Sequence, residues 1–338
     1  MPNPHGHGMP CPYEDDMSAN LRLALIRNGM LLALLAGLCA WFGSRQVEFL
    51  SWDNVQILLG DGLDEALLAV GMTFVILTGG IDLSIGSVFG LVCCTIGIAF
   101  EREWGIPAAV AAGIGVGAAC GAANAASINL LRIPPIITTL ATMTLYRGIC
   151  LVIAKKDLST FPDAFYTWDS PVAQGAVLAA VAGGGLVVFH ATAFARRVLA
   201  VGANEEAARF SGISPAKVRA AVYVGTGVLA AVAAALFLPR NLSAKADLGQ
   251  GLELLVIAAV LMGGTRVTGG EGSMIGTLLG VAILAVLGNG LRMLEVKTHL
   301  QTVFIGVILI GSIVLNGLVA RLLGAGGERR GKARAPTA

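Results

Sequence analysis

Residues 66–100 read ALLAVGMTFVILTGGIDLSIGSVFGLVCCTIGIAF and carry a single charge, at Asp82. The stretch lacks the strict alternation of a barrel strand. It is apolar all round, which suits a helix surrounded by lipid or protein and not a half-solvated one. Gly79-Gly80 breaks it at its centre, and Asp82 stands where an N-cap belongs, ready to satisfy the free N–H groups of the next helix. The reading is two apolar helices joined at a polar, glycine-broken junction.

Outward from this pair the pattern repeats. Charge-poor runs cover residues 28–44, 66–81, 83–100, 104–131, 133–154, 170–195, 220–239, 254–265, 272–291 and 298–320. A membrane helix needs about 20 mostly apolar residues, so the expectation is an all-α integral membrane protein of about ten transmembrane helices. The run at 254–265 is short unless it begins near Leu248. Composition agrees: 56% of the 338 residues are hydrophobic and 13% charged, with 45 glycines and a mean hydropathy of +0.78. A soluble chain carries about 25% charge and about 7% Gly. A water-soluble enzyme, a coiled coil and a disordered chain are thereby excluded, and a net charge of +2 gives no reason to expect a nucleic-acid partner. Lys and Arg are commoner on the side that carries the ends of the chain, which puts both termini in the cytoplasm. The first apolar run is long, without a clean small-x-small cleavage site, and reads as a retained helix. The expected division is a tail over 1–24, a membrane domain over 25–322 with a cytoplasmic loop at about 195–219, and a second tail over 323–338.

Several residues break the rules of a lipid-facing helix. Gly113, Gly117 and Gly121, then Gly272, Gly276 and Gly280, and also Gly86 with Gly90, recur every fourth position, the spacing that lets helix backbones approach closely. A second junction, Met262-Gly263-Gly264-Thr265-Arg266-Val267-Thr268-Gly269-Gly270-Glu271-Gly272, matches the first in character and falls on the same side. Paired glycine-interrupted junctions point to the substrate-lining or moving parts of a transporter, and plain helix hairpins share the spacing. Gly79, Gly80, Asp82, Ser84, Asn124, Thr142, Asn289 and Gln301 are the candidates for a path or gate; interhelical hydrogen bonds explain the polar ones equally well. Asn129 belongs to the same polar set. Arg147, inside the fifth run, is an intramembrane ion and a functional candidate by default; a structural pairing with Asp64 or Glu65 at the outer start of the second helix is favoured.

The loop at 195–219 contains Asn204 as an N-cap, Glu205 and Glu206 in a first helical turn and Gly212 as a stop. A short capped surface helix suits the docking of a cytoplasmic partner, with a solvated loop helix as the alternative. Cys39, Cys93, Cys94, Cys120 and Cys150 fall in apolar runs and Cys11 in a tail; no CxxC occurs, so packing as small apolar groups is expected, without disulfides or zinc. His5 and His7 on a tail are a weak pair for a metal. Gly326–Ala333 resembles a phosphate-binding loop but ends in Ala where Ser or Thr belongs, with no strand before it. No HExxH, GxSxG or triad is present. The chain is therefore expected not to be an enzyme, to hold no cofactor or metal and to have no catalytic residues.

Thr78-Gly79-Gly80-Ile81-Asp82-Leu83-Ser84-Ile85-Gly86-Ser87 resembles the signature of the permeases of bacterial ribose, xylose and arabinose ABC importers. So do Ile133-Pro134-Pro135 with Thr139-Leu140, Tyr146-Arg147-Gly148, the run Gly202–Ile213, and Gly263-Gly264 through Gly269-Gly270-Glu271-Gly272-Ser273. The likeness covers about 55–317 in order. It implies ten helices in a type II importer-like bundle in the bacterial inner membrane and a permease dimer, homo- or heteromeric. It also implies ATPase subunits on the cytoplasmic face holding ATP and Mg, and a periplasmic sugar-binding protein. The resemblance makes Asn204, Glu205, Glu206, Ala207, Ala208 and Gly212 the ATPase-coupling loop. Val222-Tyr223-Val224-Gly225 stands where that motif has Ile-x-Leu-Pro, and Leu255 stands where such permeases often carry an acid. The alternatives are a branched-chain amino-acid or autoinducer permease of the same architecture, an ion-coupled secondary carrier, or a membrane receptor.

Overall fold

A computed structural model describes residues 12–297 and positions 300, 303, 304, 306, 307, 310, 311 and 314, with the backbone alone described over 12–24. The helices are α1 Pro12–Arg45, α2 Trp52–Leu77, α3 Ile85–Glu101, α4 Ile106–Leu130, α5 Pro135–Ile153, α6 Asp163–Tyr166, α7 Pro171–Ala191, α8 Ala193–Ala203, α9 Glu205–Phe210, α10 Pro215–Asn241, α11 Leu252–Met262 and α12 Met274–Met293. Among the described residues there is no strand, only an isolated bridge between Leu158 and Ala244. Six helices, Leu25–Arg45, α4, α5, α7, α10 and α12, are long and apolar enough to cross a membrane, and α3 and α11 are shorter apolar helices. The protein is an all-α, multi-pass membrane protein. Helix α1 starts inside the segment expected to be a tail. Of the expected last span, Gln301 and most other residues lie outside the described residues, as do Cys11, His5, His7 and 326–333.

Two boundaries differ from expectation. Helix α2 begins at Trp52, capped by Ser51, whose side chain accepts from Asn54 N. It therefore continues well upstream of the charge-free run. Asp61 and Asp64 lie within it because each has a cationic partner on a neighbouring helix: Asp61 meets Arg292 of α12 at 2.5 Å, and Asp64 is bonded to Arg240 of α10. Arg147 is thus not the partner of Asp64 or Glu65. Its guanidinium donates to the carbonyls of Ala246 at 2.8 Å and Leu248 at 2.6 Å.

The second difference concerns α11, which does not begin near Leu248. The chain from Ser243 to Gly251 is non-helical and runs back along α3. Ala244 lies by Gly97, the Cys94 thiol donates to the Lys245 carbonyl at 3.6 Å, Leu248 lies by Gly90 and Gly249 by Gly86. From Gly97 to Gly86 is about 16 Å of helix. Gly86 and Gly90 therefore make room for this segment rather than for another helix: a Cβ on Gly90 would sit 2.5 Å from the Leu248 oxygen. Of the remaining glycines, Gly272 lies in the turn before α12, against the side chains of Thr265 and Leu77, and the others pack helices. A Cβ on Gly117 of α4 would stand 3.1 Å from the Gly227 carbonyl carbon of α10, and one on Gly121 2.8 Å from that of Tyr223. Such backbone contact is what small residues permit in a bundle. The core lies where α2, α3, α4, α10 and α11 converge, around Leu67, Ile76, Phe89 and Tyr223. Cys93, Cys94, Cys120 and Cys150 are buried free thiols within it. Exposed Ile137, Leu145 and Leu151 of α5 and Val187 of α7 face outward, as lipid-facing side chains do.

Candidate functional site: a docking helix joined to two glycine junctions

Helix α9 is short and cannot hold itself together, so local side chains fix it. The Asn204 side chain accepts from Ala207 N at 2.9 Å, a cap worth about 1 kcal/mol. Gly212 ends the element at φ +79°, the left-handed conformation glycine adopts at least cost. Ala208 is buried underneath. Glu205 receives two bonds from Arg219 of α10, at 2.8 and 3.1 Å, and one from Arg209 at 3.1 Å. Those Arg219 bonds hold the Glu205 carboxyl below its usual range. Arg219 also donates to Asn129 of α4, whose amide donates to the Ala216 carbonyl at 3.0 Å. Glu206, Ala207 and Arg209 are exposed, and Phe210 is 86% exposed. Between α9 and residues 131–135 lies a cavity of about 700 Å³, bordered by Arg132, Pro134, Arg209 and Ile213. The helix predicted from Asn204 to Gly212 is present as predicted. Phe210 was not singled out, although a large apolar side chain in a polar surface turn is a readable signal.

The C-terminal end of α8 connects this helix to both junctions. Gly202, two residues before the Asn204 cap, lies against the Leu77 carbonyl and the Gly270 amide; a Cβ there would be 2.6 Å from Gly270 N. Gly270 N itself donates to the Leu77 carbonyl at 3.0 Å, and a Cβ on Gly269 would be 2.7 Å from Gly79 N. Arg27 of α1 donates to the Gly264 carbonyl at 3.2 Å. Gly79, Gly264, Gly269 and Gly270 all have φ between +77° and +85°, so the turns at the three-way contact depend on glycine. The likeness of the two junctions was legible in the sequence; their contact with each other and with α8 was not.

Beyond Gly80 lies a buried polar group. The N-cap of α3 is Ser84, not Asp82. Asp82 stands two residues earlier and accepts from Ser84 N at 2.9 Å and Ser84 Oγ at 2.6 Å, while Asn124 of α4 donates to Ser84 Oγ at 2.8 Å. Thr139 of α5 donates to the Ile81 carbonyl at 2.9 Å. The Tyr223 hydroxyl, 2.7 Å from where a Cβ on Gly80 would be, is buried without a hydrogen-bond partner among the described residues, as are Asn124 Oδ1 and Thr138 Oγ1. Gly79, Gly80, Asp82, Ser84 and Asn124 are thus brought together as grouped. Thr142 is not part of the group; its hydroxyl bonds back to Thr138 and Thr139 carbonyls of its own helix. Asn289 is far away, donating to Asn54 at the opposite end of α2. Gln301 is outside the described residues. Among the described residues no cluster of His, Cys, Asp and Glu could hold a metal.

The family described as branched-chain amino acid transport system / permease component matches residues 54–313. Ribose import permease protein RbsC of Bacillus subtilis is 37% identical over 279 residues, covering 80% of this chain and 86% of its own. The RbsC of Escherichia coli K12 is 34% identical over 315 residues, 86% of this chain and 94% of its own. Autoinducer 2 import system permease protein LsrD of Klebsiella pneumoniae is 30% identical over 302 residues, 86% and 91%. No solved structure matches the chain.

Proposed function

This chain belongs to the family of branched-chain amino acid transport system permease components, and on that premise we propose that it is the permease subunit of an ABC importer carrying a monosaccharide across the bacterial inner membrane. The single observation that carries the mechanism is the Gly202 contact, which ties an exposed docking helix to both glycine junctions. An ATPase that pushes on α9 drives α8 against the Leu77 carbonyl and Gly270. Cargo passes when the bundle rocks between inward- and outward-open states, and ATP binding and hydrolysis on the partner bias that equilibrium. Asn204, Glu205, Glu206, Ala207, Ala208 and Gly212 are the coupling loop, and Gly79, Gly80, Asp82, Ser84 and Asn124 are the inner gate. Arg147 is a structural charge.

In this reading ten spans cross the bilayer, with both termini and α9 in the cytoplasm. The membrane domain covers 25–322 between two tails. ATP and Mg²⁺ belong to the ATPase, a second permease copy completes the path, and a periplasmic binding protein delivers the sugar. A reporter fused after Ala203 should read cytoplasm and one after Asp163 the outer side; an outside signal at Ala203 would overturn the orientation and the docking assignment together. The chain purified alone in lipid should hydrolyse no ATP. Reconstituted with its ATPase and binding protein, it should take up radiolabelled D-ribose or another pentose. Uptake of leucine and of no sugar would replace this reading by the amino-acid one. The likeness to the LsrD permease favours one variation, a sugar-like signalling molecule as cargo.

A further inference from the structure

Helix α10 starts beside α9 and ends at Asn241, about 40 Å away. The non-helical segment that follows therefore lies toward the face opposite the docking helix. Non-helical backbone at membrane depth is tolerated where it is buried in protein or lines a water-filled cavity, and this segment does both. One side is laid on the Gly86 and Gly90 face of α3 and held by Arg147 through the Ala246 and Leu248 carbonyls. The other borders a cleft of about 430 Å³, lined by Phe237, Asn241, Ser243, Lys245, Asp247 and Gln250 among others. That size lies in the range of small-molecule sites. The segment turns at Gly249 (φ +76°) and Gly251 (φ +87°) and leads into α11, whose first turn holds Glu253 next to Gly249 and Gly86. Glu253 Oε1 accepts only from Gly251 N, at 3.2 Å. Among the described residues neither Asp247 nor Glu253 has a cationic partner, and the nearby Lys245 is paired with Asp157 at 3.1 Å.

One carboxylate (Asp247), an ammonium already paired with Asp157 (Lys245), two side-chain amides, the Ser243 hydroxyl and one aromatic ring in this cleft suit a neutral polyhydroxylated solute. Hydroxyls donate to carboxylates, amides serve either role, and the C–H face of the solute lies on the ring. We infer that the cleft at Asn241–Gln250 is the outer binding subsite of the translocation path, with the Asp247 carboxylate and Asn241 Oδ1 accepting hydroxyl hydrogen bonds from the cargo and Phe237 supplying its apolar wall. The inference rests on the monosaccharide reading.

The test uses the reconstituted complex of permease, ATPase and binding protein, with D-ribose and leucine as the probes. Asp247→Asn keeps shape and loses charge. It should lower D-ribose uptake about tenfold or more, while ATPase stimulation by loaded binding protein stays within twofold, because docking and gating do not use this cleft. Uptake within twofold of wild type, or uptake and ATPase falling in parallel, overturns the subsite. Gln250→Cys is an independent arm, since the Gln250 side chain is exposed and makes no bond. Made in a Cys39→Ser background, because Cys39 is only partly buried while Cys93, Cys94, Cys120 and Cys150 are buried, it should lose uptake when a membrane-impermeant maleimide is added outside, and the Cys39→Ser parent should not; uptake that survives labelling counts against the cleft. Lys156→Ala, an exposed outer-loop residue paired with Glu101, should be silent. A wild-type complex moving leucine and no pentose sinks the monosaccharide reading and the subsite with it. A wild type that moves pentose beside unaffected variants sinks the subsite alone.

Discussion

Replacing Gly202 by Ala tests the proposed link between docking and gating at one atom. Gly202 lies within helix α8, so the backbone accepts alanine without strain, and only the new methyl matters. Ordinary contact begins near 3.4 Å. The methyl would be 2.6 Å from Gly270 N, 3.0 Å from the Leu77 carbonyl carbon, and closer still to the Leu77 oxygen. All three are backbone atoms that cannot rotate away, so α8 or a junction must retreat by at least 0.8 Å. Where a junction is the part that retreats, the 3.0 Å bond from Gly270 N to the Leu77 carbonyl opens. Overpacking of this kind costs about 1–3 kcal/mol, and the lost hydrogen bond adds about 1 kcal/mol. Where inward- and outward-open states relieve that strain unequally by about 1.4 kcal/mol, the balance between them shifts about tenfold. The expected result in proteoliposomes with the ATPase and binding protein is normal complex assembly, a lowered melting temperature and several-fold less sugar moved per ATP. Wild-type uptake, ATPase rate and melting temperature together would show that the contact is slack and transmits nothing.

Gly212→Val isolates the opposite effect. Nothing lies within 4 Å of a Cβ there, so only the φ of +79° resists, at about 1–2 kcal/mol; co-purification with the ATPase should fall while the membrane domain melts as in wild type. Glu206→Lys and Phe210→Ala should weaken the same co-purification and leave folding alone, because both side chains are exposed. Glu205 has a lowered folded-state pKa, so its contribution is present above the ordinary value of about 4.3 and is lost as pH falls through the lower folded value. Limited proteolysis at 204–214 should therefore be slow at pH 7, quicken only below about pH 4, and be fast at pH 7 in Glu205→Gln. Breaking the buried Asp64–Arg240 pair with Asp64→Asn alone should destabilise by about 3–5 kcal/mol, and Asp64→Leu with Arg240→Met should recover most of it; thermal melts in detergent decide. Gly117→Leu should push α4 off α10, where the backbones touch, and prevent a stable fold, seen as loss of a monodisperse peak.

The sequence by itself determined the membrane class, because the price of burying unpaired charge in lipid is written into composition and run length. It also determined the short helix at 205–210: a cap such as Asn204 and a stop such as Gly212 act within a few residues of chain, so their meaning is local. The likeness of the two glycine junctions was equally visible. Only the tertiary structure decided what each long-range partner would be. Charge-free runs misplaced the start of α2, since Asp61 and Asp64 are tolerated inside a helix only through Arg292 and Arg240, more than 170 residues away in sequence. Arg147 was legible as an expensive intramembrane charge, but its carbonyl partners at Ala246 and Leu248 exist only because the chain folds back along α3. A glycine ladder announces that something approaches closely, and the same four-residue spacing serves a helix at Gly117 and a non-helical segment at Gly90. Removing a side chain leaves space on a helix face, and the remainder of the fold decides which backbone fills it.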